Sequence, residues 1–299
     1  MTPDPVTIGK AIVTATNETI KATADTPGGA AAREQLGKTA LTVSTAINNV
    51  LLPLAAVNFG IAKARRYFET KFPDELAERT VKIPLDQLVE PKASIAGPAL
   101  QALAFAHEEP DLKSMYLGLI ASAMNTQSSR LAHPAFVEVV KQLEAQEAQL
   151  LQPFLTQPDA APLAELRVQT NGMQGFVTAM KHLLNLRRVT TGEAVELDLI
   201  TAMVDNWGRL GLTAATYDLH LGGDHRYDWA QSRPEHLRHR ALHSDDGETV
   251  VIAPGLLAPT EFGRQFAAAV GMYDSKPTGD IVIVRAEAID LDSPSDDAQ

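Results

Sequence analysis

The stretch Met173-Gln-Gly-Phe-Val-Thr-Ala-Met-Lys-His-Leu-Leu-Asn-Leu186 decides how the second half of the chain is built. Its apolar residues Phe176, Val177, Met180, Leu183 and Leu184 recur at the three-and-four spacing of one helix face, which predicts a helix over 173–186. A second helix is predicted over 195–210, with Leu197, Ile200, Val204 and Trp207 inward and Gly211 as the residue that closes it. Thr249-Val-Val-Ile252 reads as a short strand, and 260–270 as a helix capped by Thr260. Ile281-Val-Ile-Val284 predicts a last strand.

Helix, helix, turn-rich segment, strand, helix is an order similar to a winged-helix module, here spanning 163–275. Working outward, Gln157-Pro-Asp-Ala-Ala-Pro162 reads as a linker. Before it lies a central helical domain over 73–156. Helices open at Ile95, with Pro98 in the first turn, and at Pro110. Phe136, Val139, Val140, Leu143, Leu150, Leu151 and Phe154 form one continuous apolar stripe after Pro134. Residues 80–94 carry Pro84 and Pro91 and suggest an extended connection. Residues 31–72 read as a long apolar or amphipathic helix, kinked at Pro53 and ended by Pro73 and Asp74. Residues 1–30 form a flexible segment, and 276–299 a strand with an acidic, disordered tail. The expected fold class is mainly α: a helical N-terminal and central region with a small α+β winged-helix-like C-terminal module.

The 299 residues allow one large domain or two to three small ones, and 45% apolar content is ordinary for a globular chain. A net charge of −11 argues against a general nucleic-acid binder, since neutralising phosphates needs clustered Lys and Arg. No cysteine is present, which excludes disulfides, thiolate catalysis and cysteine zinc sites. Met1-Thr-Pro-Asp-Pro5 lacks the basic and apolar regions of a signal peptide.

Residues 39–62 carry no charge and are followed by Lys63, Arg65 and Arg66. The run is long enough for a bilayer, where about 20 residues are needed. Asn48, Asn49 and Asn58 oppose insertion, so a buried or amphipathic helix broken near Pro53 is the plainer expectation. Val50, Leu51, Leu52, Leu54, Val57 and Phe59 are the candidate membrane contacts.

Ala32-Arg-Glu-Gln-Leu-Gly-Lys-Thr39 fits a relaxed phosphate-loop pattern, yet no strand precedes it, so a plain helix start is expected. His220, His225, His236, His239 and His243 cluster late, and the last three share helical spacing. Arg238 and Arg240 interleave them and oppose a metal cation, so a solvated loop or wing is expected. Arg226, Arg233, Arg238 and Arg240 are the candidate contacts for nucleic acid or an acidic partner, and Lys181, Arg187 and Arg188 could join them on one face of a winged module. His107-Glu108-Glu109 and Asp111 flank Pro110 as a helix cap and a turn, and His133 precedes Pro134 as a cap or a core residue. GxSxG is absent, as is GxGxxG after a strand.

Six segments carry a family likeness: Val50-Leu-Leu-Pro-Leu54, Ile95-Ala-Gly-Pro98, Tyr116-Leu-Gly-Leu-Ile-Ala-Ser-Ala-Met124, Ala132-His-Pro-Ala-Phe136, Asp205-Asn-Trp-Gly-Arg-Leu-Gly-Leu212 and Thr260-Glu-Phe-Gly-Arg-Gln-Phe266. Together, over about 39–270, the chain resembles the bacterial abortive-infection alpha family. The resemblance implies a cytoplasmic protein of phage defence and transfers no catalytic residue, metal or cofactor. The expectation is a non-enzymatic defence protein, cytoplasmic or peripheral to the inner membrane, acting through protein or membrane contacts. The alternative is a winged-helix regulator or adaptor that binds DNA. Whether it is a homo-oligomer stays open.

Overall fold

The computed structural model describes residues 61–285, except 173, 224, 245 and 246. Their helices are α1 (Ile61–Thr70), α2 (Phe72–Thr80), α3 (Ala93–Ala106), α4 (Pro110–Ala123), α5 (Pro134–Lys141), α6 (Ala145–Leu155), α7 (Ile200–Arg209), α8 (Pro234–Leu242) and α9 (Glu261–Ala269). Their strands are β1 (Ala161–Thr170), β2 (Val177–Leu184), β3 (Leu186–Arg188), β4 (Thr213–Thr216), β5 (Glu248–Pro259) and β6 (Ile281–Ile283). The chain is therefore an α+β protein built with a four-stranded antiparallel sheet, which corrects the mainly α expectation. It divides into two compact units. The first takes the described residues up to Ala148 together with Gln265–Lys276; the second takes Gln149–Arg264 and the described residues from Pro277 onward.

In the first unit, sequence sets the helix ends. Proline occupies the first turn of α2, α4 and α5, where its missing N–H costs nothing. His133 caps α5, its Nδ1 accepting from the Ala135 N–H at 3.1 Å. Pro73 thus opens α2 rather than ending a long helix. The apolar stripe after Pro134 is split into α5 and α6 by Gln142-Leu-Glu144, and the Glu144 N–H donates to Glu147 Oε2 at 2.8 Å as half of a capping box. Helix α3 starts two residues earlier than expected, at Ala93, so Pro98 lies inside it. Tyr67, Phe68 and Phe72 pack ring to ring at 5.2–6.2 Å. Phe136 meets Phe266 edge-on at 5.5 Å. A Cβ on Gly118 would lie 2.0 Å from the Val270 carbonyl oxygen, so only glycine lets α4 come this close to the segment after α9.

In the second unit, β1 pairs antiparallel with β5 from Ala161↔Leu257 to Thr170↔Glu248, and with β2 on its other side. The order is β2-β1-β5-β4, and β3 and β6 form a separate pair. Ala164, Leu166 and Leu183 make one apolar cluster with Trp229 and Ala230 of the 3₁₀ turn Asp228–Ser232. Helix α7 packs against β2 and β4.

The expected helix over 173–186 is β2, and this removes the winged-helix arrangement. Two register shifts explain the difference. Ala164↔Leu183 is followed by Leu166↔Met180, and then by Arg167↔Thr178, so β2 carries two residues with no counterpart in β1. Each extra residue flips the inward phase of a strand. Of the five residues expected inward, Leu183 and Leu184 are buried and Met180 is partly buried, at a spacing that imitates a helix, whereas Phe176 and Val177 are exposed. The linker over 157–162 gives way to β1 at Ala161, the short strand at 249–252 is the first third of β5, and the expected loop over 222–246 contains α8.

Two of the segments that carry the family likeness form one clasp. Thr260 Oγ1 donates to the Gly211 carbonyl and accepts from the Gly263 N–H at 2.8 Å, capping α9. A Cβ on Gly263 would lie 2.1 Å from the Leu212 carbonyl oxygen. Gly211 has φ +75°, a conformation glycine adopts without penalty, and it ends α7 as expected. The segments expected over 1–30 and 31–60, and the acidic tail from 286, lie outside the described residues.

Candidate functional site

The polar centre of the second unit is built on the irregular part of β2. His182 stands between the two mismatched registers with φ +58°, a left-handed conformation that non-glycine residues rarely adopt. Bulges of this kind re-aim a side chain, and such strain persists only where surroundings over-determine it. Here the surroundings do. The His182 N–H donates to Tyr217 Oη at 2.9 Å. Its ring stacks on the Tyr217 ring at 19°. The Tyr217 hydroxyl lies 3.0 Å from His182 Nδ1, and Asp205 Oδ1 of α7 lies 3.0 Å from Nε2. A carboxylate only accepts, so Nε2 carries the proton and Nδ1 accepts from the phenol. Thr201 Oγ1, one turn earlier on α7, donates to the Lys181 carbonyl at 2.9 Å and fixes the neighbouring peptide.

The Tyr217 ring rests against β5 because residue 255 is glycine; a Cβ there would lie 2.6 Å from the ring. Tyr227 donates to the same Gly255 carbonyl at 2.7 Å. On β1, the buried Glu165 accepts from Arg167 Nε at 2.9 Å and from Thr178 Oγ1 at 2.7 Å. The Arg167 guanidinium lies 4.1 Å from the centre of the Phe176 ring. Burial pushes the Tyr217 phenol up to about 12; the His182 N–H pulls it back, the charges of Glu165 and Asp205 push it further up, and Arg167 pulls it down. The phenol is therefore protonated at neutral pH, with a base already hydrogen-bonded to it. Hydroxyl, imidazole and carboxylate stand in the mutual order of an activated nucleophile.

The expected basic site is not gathered in this way. Arg233 is 2% exposed: it donates from Nε and Nη2 to Glu235 at 3.0 and 2.5 Å, to the Leu186 carbonyl at 2.9 Å and to the Val195 carbonyl at 2.7 Å. It anchors α8 to β3 and offers no surface. Arg238 pairs with Glu196, whose carboxyl it holds below the usual range. Arg226 and Arg240 are exposed. His236 and His239 lie on α8, and His243 follows it to pair with Glu248 at 2.7 Å. Burial, and then the charges of Arg238, His243 and His236, push His239 down. Among the described residues no group of three or more His, Asp or Glu side chains is arranged to hold a metal. Near Pro110, Glu108 pairs with Lys63 and His107 stacks on Tyr67, while Glu109 at the start of α4 makes no side-chain capping bond, so the cap expected there is not formed. The phosphate-loop-like segment 32–39 and the membrane candidates Val50, Leu51, Leu52, Leu54, Val57 and Phe59 lie outside the described residues. Among the described residues no helix is long and apolar enough to cross a membrane.

Sequence reasoning missed His182, Asp205, Tyr217 and Glu165. They come from β2, α7, the end of β4 and β1, and no spacing rule joins them. Asp205 opens the Asp205–Leu212 segment, the one signal that pointed near the site.

The fold and this polar centre define an α+β protein with a carboxylate–imidazole–phenol chain set on a bulged strand. The family model for abortive infection alpha matches residues 64–270, and the chain belongs to that family. No curated protein and no solved structure matches.

Proposed function

We propose that the chain acts in abortive infection as a non-enzymatic protein of the cytoplasm, through contact with another protein. Family membership over 64–270 supports the biological setting. The fate of the basic stretch supports the mode of action. With Arg233 buried and Arg238 paired, two of the four expected arginines, Arg226 and Arg240, present exposed charge. Tracking a nucleic-acid backbone takes more cations than that. The same segment exposes Leu237 and Leu242 on α8, at 49% and 70%, with Leu237 one turn before Arg240. Exposed leucines next to an arginine suit a protein surface that is apolar and acidic.

A phage challenge at low and high phage-to-cell ratios tests this proposal. The chain should protect at low ratio, with culture collapse at high ratio. The double variant Leu237→Asp, Leu242→Asp should lose both effects while keeping its circular dichroism and melting temperature. Full protection by that variant would remove α8 as the contact. No effect of the wild-type chain at either ratio would remove the single-protein defence role.

A further inference from the structure

The carboxylate–imidazole–phenol chain is more complete than a strut between β2 and α7 requires. A strut needs Tyr217 only to accept from the His182 N–H. The structure also places Nδ1 3.0 Å from the hydroxyl, and it orients the ring from behind with Asp205 at 3.0 Å. The His182 N–H at 2.9 Å additionally aims a donor at the phenol oxygen, where negative charge would develop on ionisation. The half-buried Tyr217 has its ring seated on Gly255, which leaves little freedom to swing away.

We propose that Tyr217 is a modification site, a nucleophile that accepts a phosphoryl group from an activated phosphate ester, with His182 as its base and Asp205 as the positioning residue of that base. In the step, the Tyr217 oxygen forms a bond to phosphorus. The bond from phosphorus to the leaving oxygen breaks, and the leaving group departs with its electron pair. The phenol proton passes to His182 Nδ1, and the resulting imidazolium keeps its Nε2–H on Asp205. Glu165, Arg167 and Asp205 are the charged groups acting on the phenol. Arg167 is the positive one and is paired with Glu165 at 2.8 Å, so the two carboxylates leave the surroundings net negative and favour a neutral phosphate triester over a phosphate anion. One group is taken per chain, so the site adds a covalent state to a protein with no turnover of its own.

The probe is diethyl p-nitrophenyl phosphate, with adduct position read by peptide mass mapping and rate by nitrophenolate release. Tyr273, which is 53% exposed, serves as the internal comparator. The adduct should form on Tyr217 faster than on Tyr273, and Tyr217→Phe should abolish it. Asp205→Asn alters a solvent-facing carboxylate whose loss spares the core. It should slow labelling by at least about tenfold, short of the roughly 10²–10⁴-fold that assisted proton transfer itself contributes, because the base stays and loses only its positioning partner, with the melting temperature unchanged. His182→Gln, which removes the base at Nδ1, should slow labelling at least as much as Asp205→Asn does. A purely structural network predicts none of these rate effects. No adduct at Tyr217, an equal rate at Tyr273, or a wild-type rate in Asp205→Asn would each overturn the proposal.

Discussion

The two units solve the problem of a folded interior with different materials. Among the described residues, the buried polar or charged ones in the first are Asp111 and Glu147; in the second they are Gln152, Glu165, His182, Asn185, Thr213, Arg233, Glu235 and His236. The first unit is held by apolar contact and close approach, as in the Tyr67–Phe68–Phe72 group and at Gly118. The second is threaded by hydrogen-bonded charge, as at Arg233–Glu235 and His182–Asp205. Apolar packing tolerates small shifts, whereas a buried polar network is strong only while every member is satisfied. The second unit is thus where chemistry can be held in register, and where single changes should be most costly.

The largest expected effect tests that directly. Arg233→Met strips the partner from Glu235, which is 2% exposed, and leaves a buried charge together with two orphaned carbonyls. It should destabilise the second unit by about 3–5 kcal/mol, read by urea unfolding. The double variant Arg233→Met, Glu235→Leu should recover much of this loss; no recovery would mean the cost lies in the carbonyl contacts. Gly118→Ala tests the first unit, where the added methyl meets backbone 2.0 Å away and something must move. A loss of about 1–3 kcal/mol is expected. If Gly118→Ala proves worse than Arg233→Met, the contrast between the units is reversed.

A smaller effect probes the bulge. Both His182→Ala and His182→Gly lose the imidazole, but φ +58° suits glycine, so the alanine variant should be the less stable by about 1 kcal/mol. Equal stability would mean that the backbone relaxes once the ring is gone. The smallest effect is on pH. The folded Tyr217 phenol titrates near 12, above the unfolded chain's value near 10. The neutral phenol therefore contributes stability that is present below pH 10 and lost as pH rises toward 12. Tyr67 and Tyr116 are raised further, also first by burial, so both units share this alkaline limb. Tyr217→Phe should flatten part of the limb, as measured by melting temperature against pH.

Legibility from sequence divides along the same line. Helix starts on proline and the Thr260 cap were readable because they are local: one residue's φ or one hydroxyl decides them. Strand β1 was not readable, because the half from Ala161 to Leu166 is buried on both faces and shows no alternation, while Pro158 and Pro162 signal a linker. Strand β2 was misread for a sharper reason. Its two unmatched residues place Met180, Leu183 and Leu184 inward at helical intervals, and only the β1 register reveals the phase changes. The basic stretch misled because composition cannot say which arginine is buried. Arg233 differs from Arg240 only through Glu235 two residues away and the distant carbonyls of Leu186 and Val195.

The margins of the four-stranded sheet carry a last consequence. On one side β2 is bulged twice, with the Lys181 carbonyl and the His182 N–H taken up by Thr201 and Tyr217. On the other, β4 is four residues long. A long, flat, unsatisfied margin invites another chain to add to it, and neither of these is one. The described sheet therefore offers little template for a second copy to add a strand, so folded molecules should stay apart through their sheet edges even at high concentration.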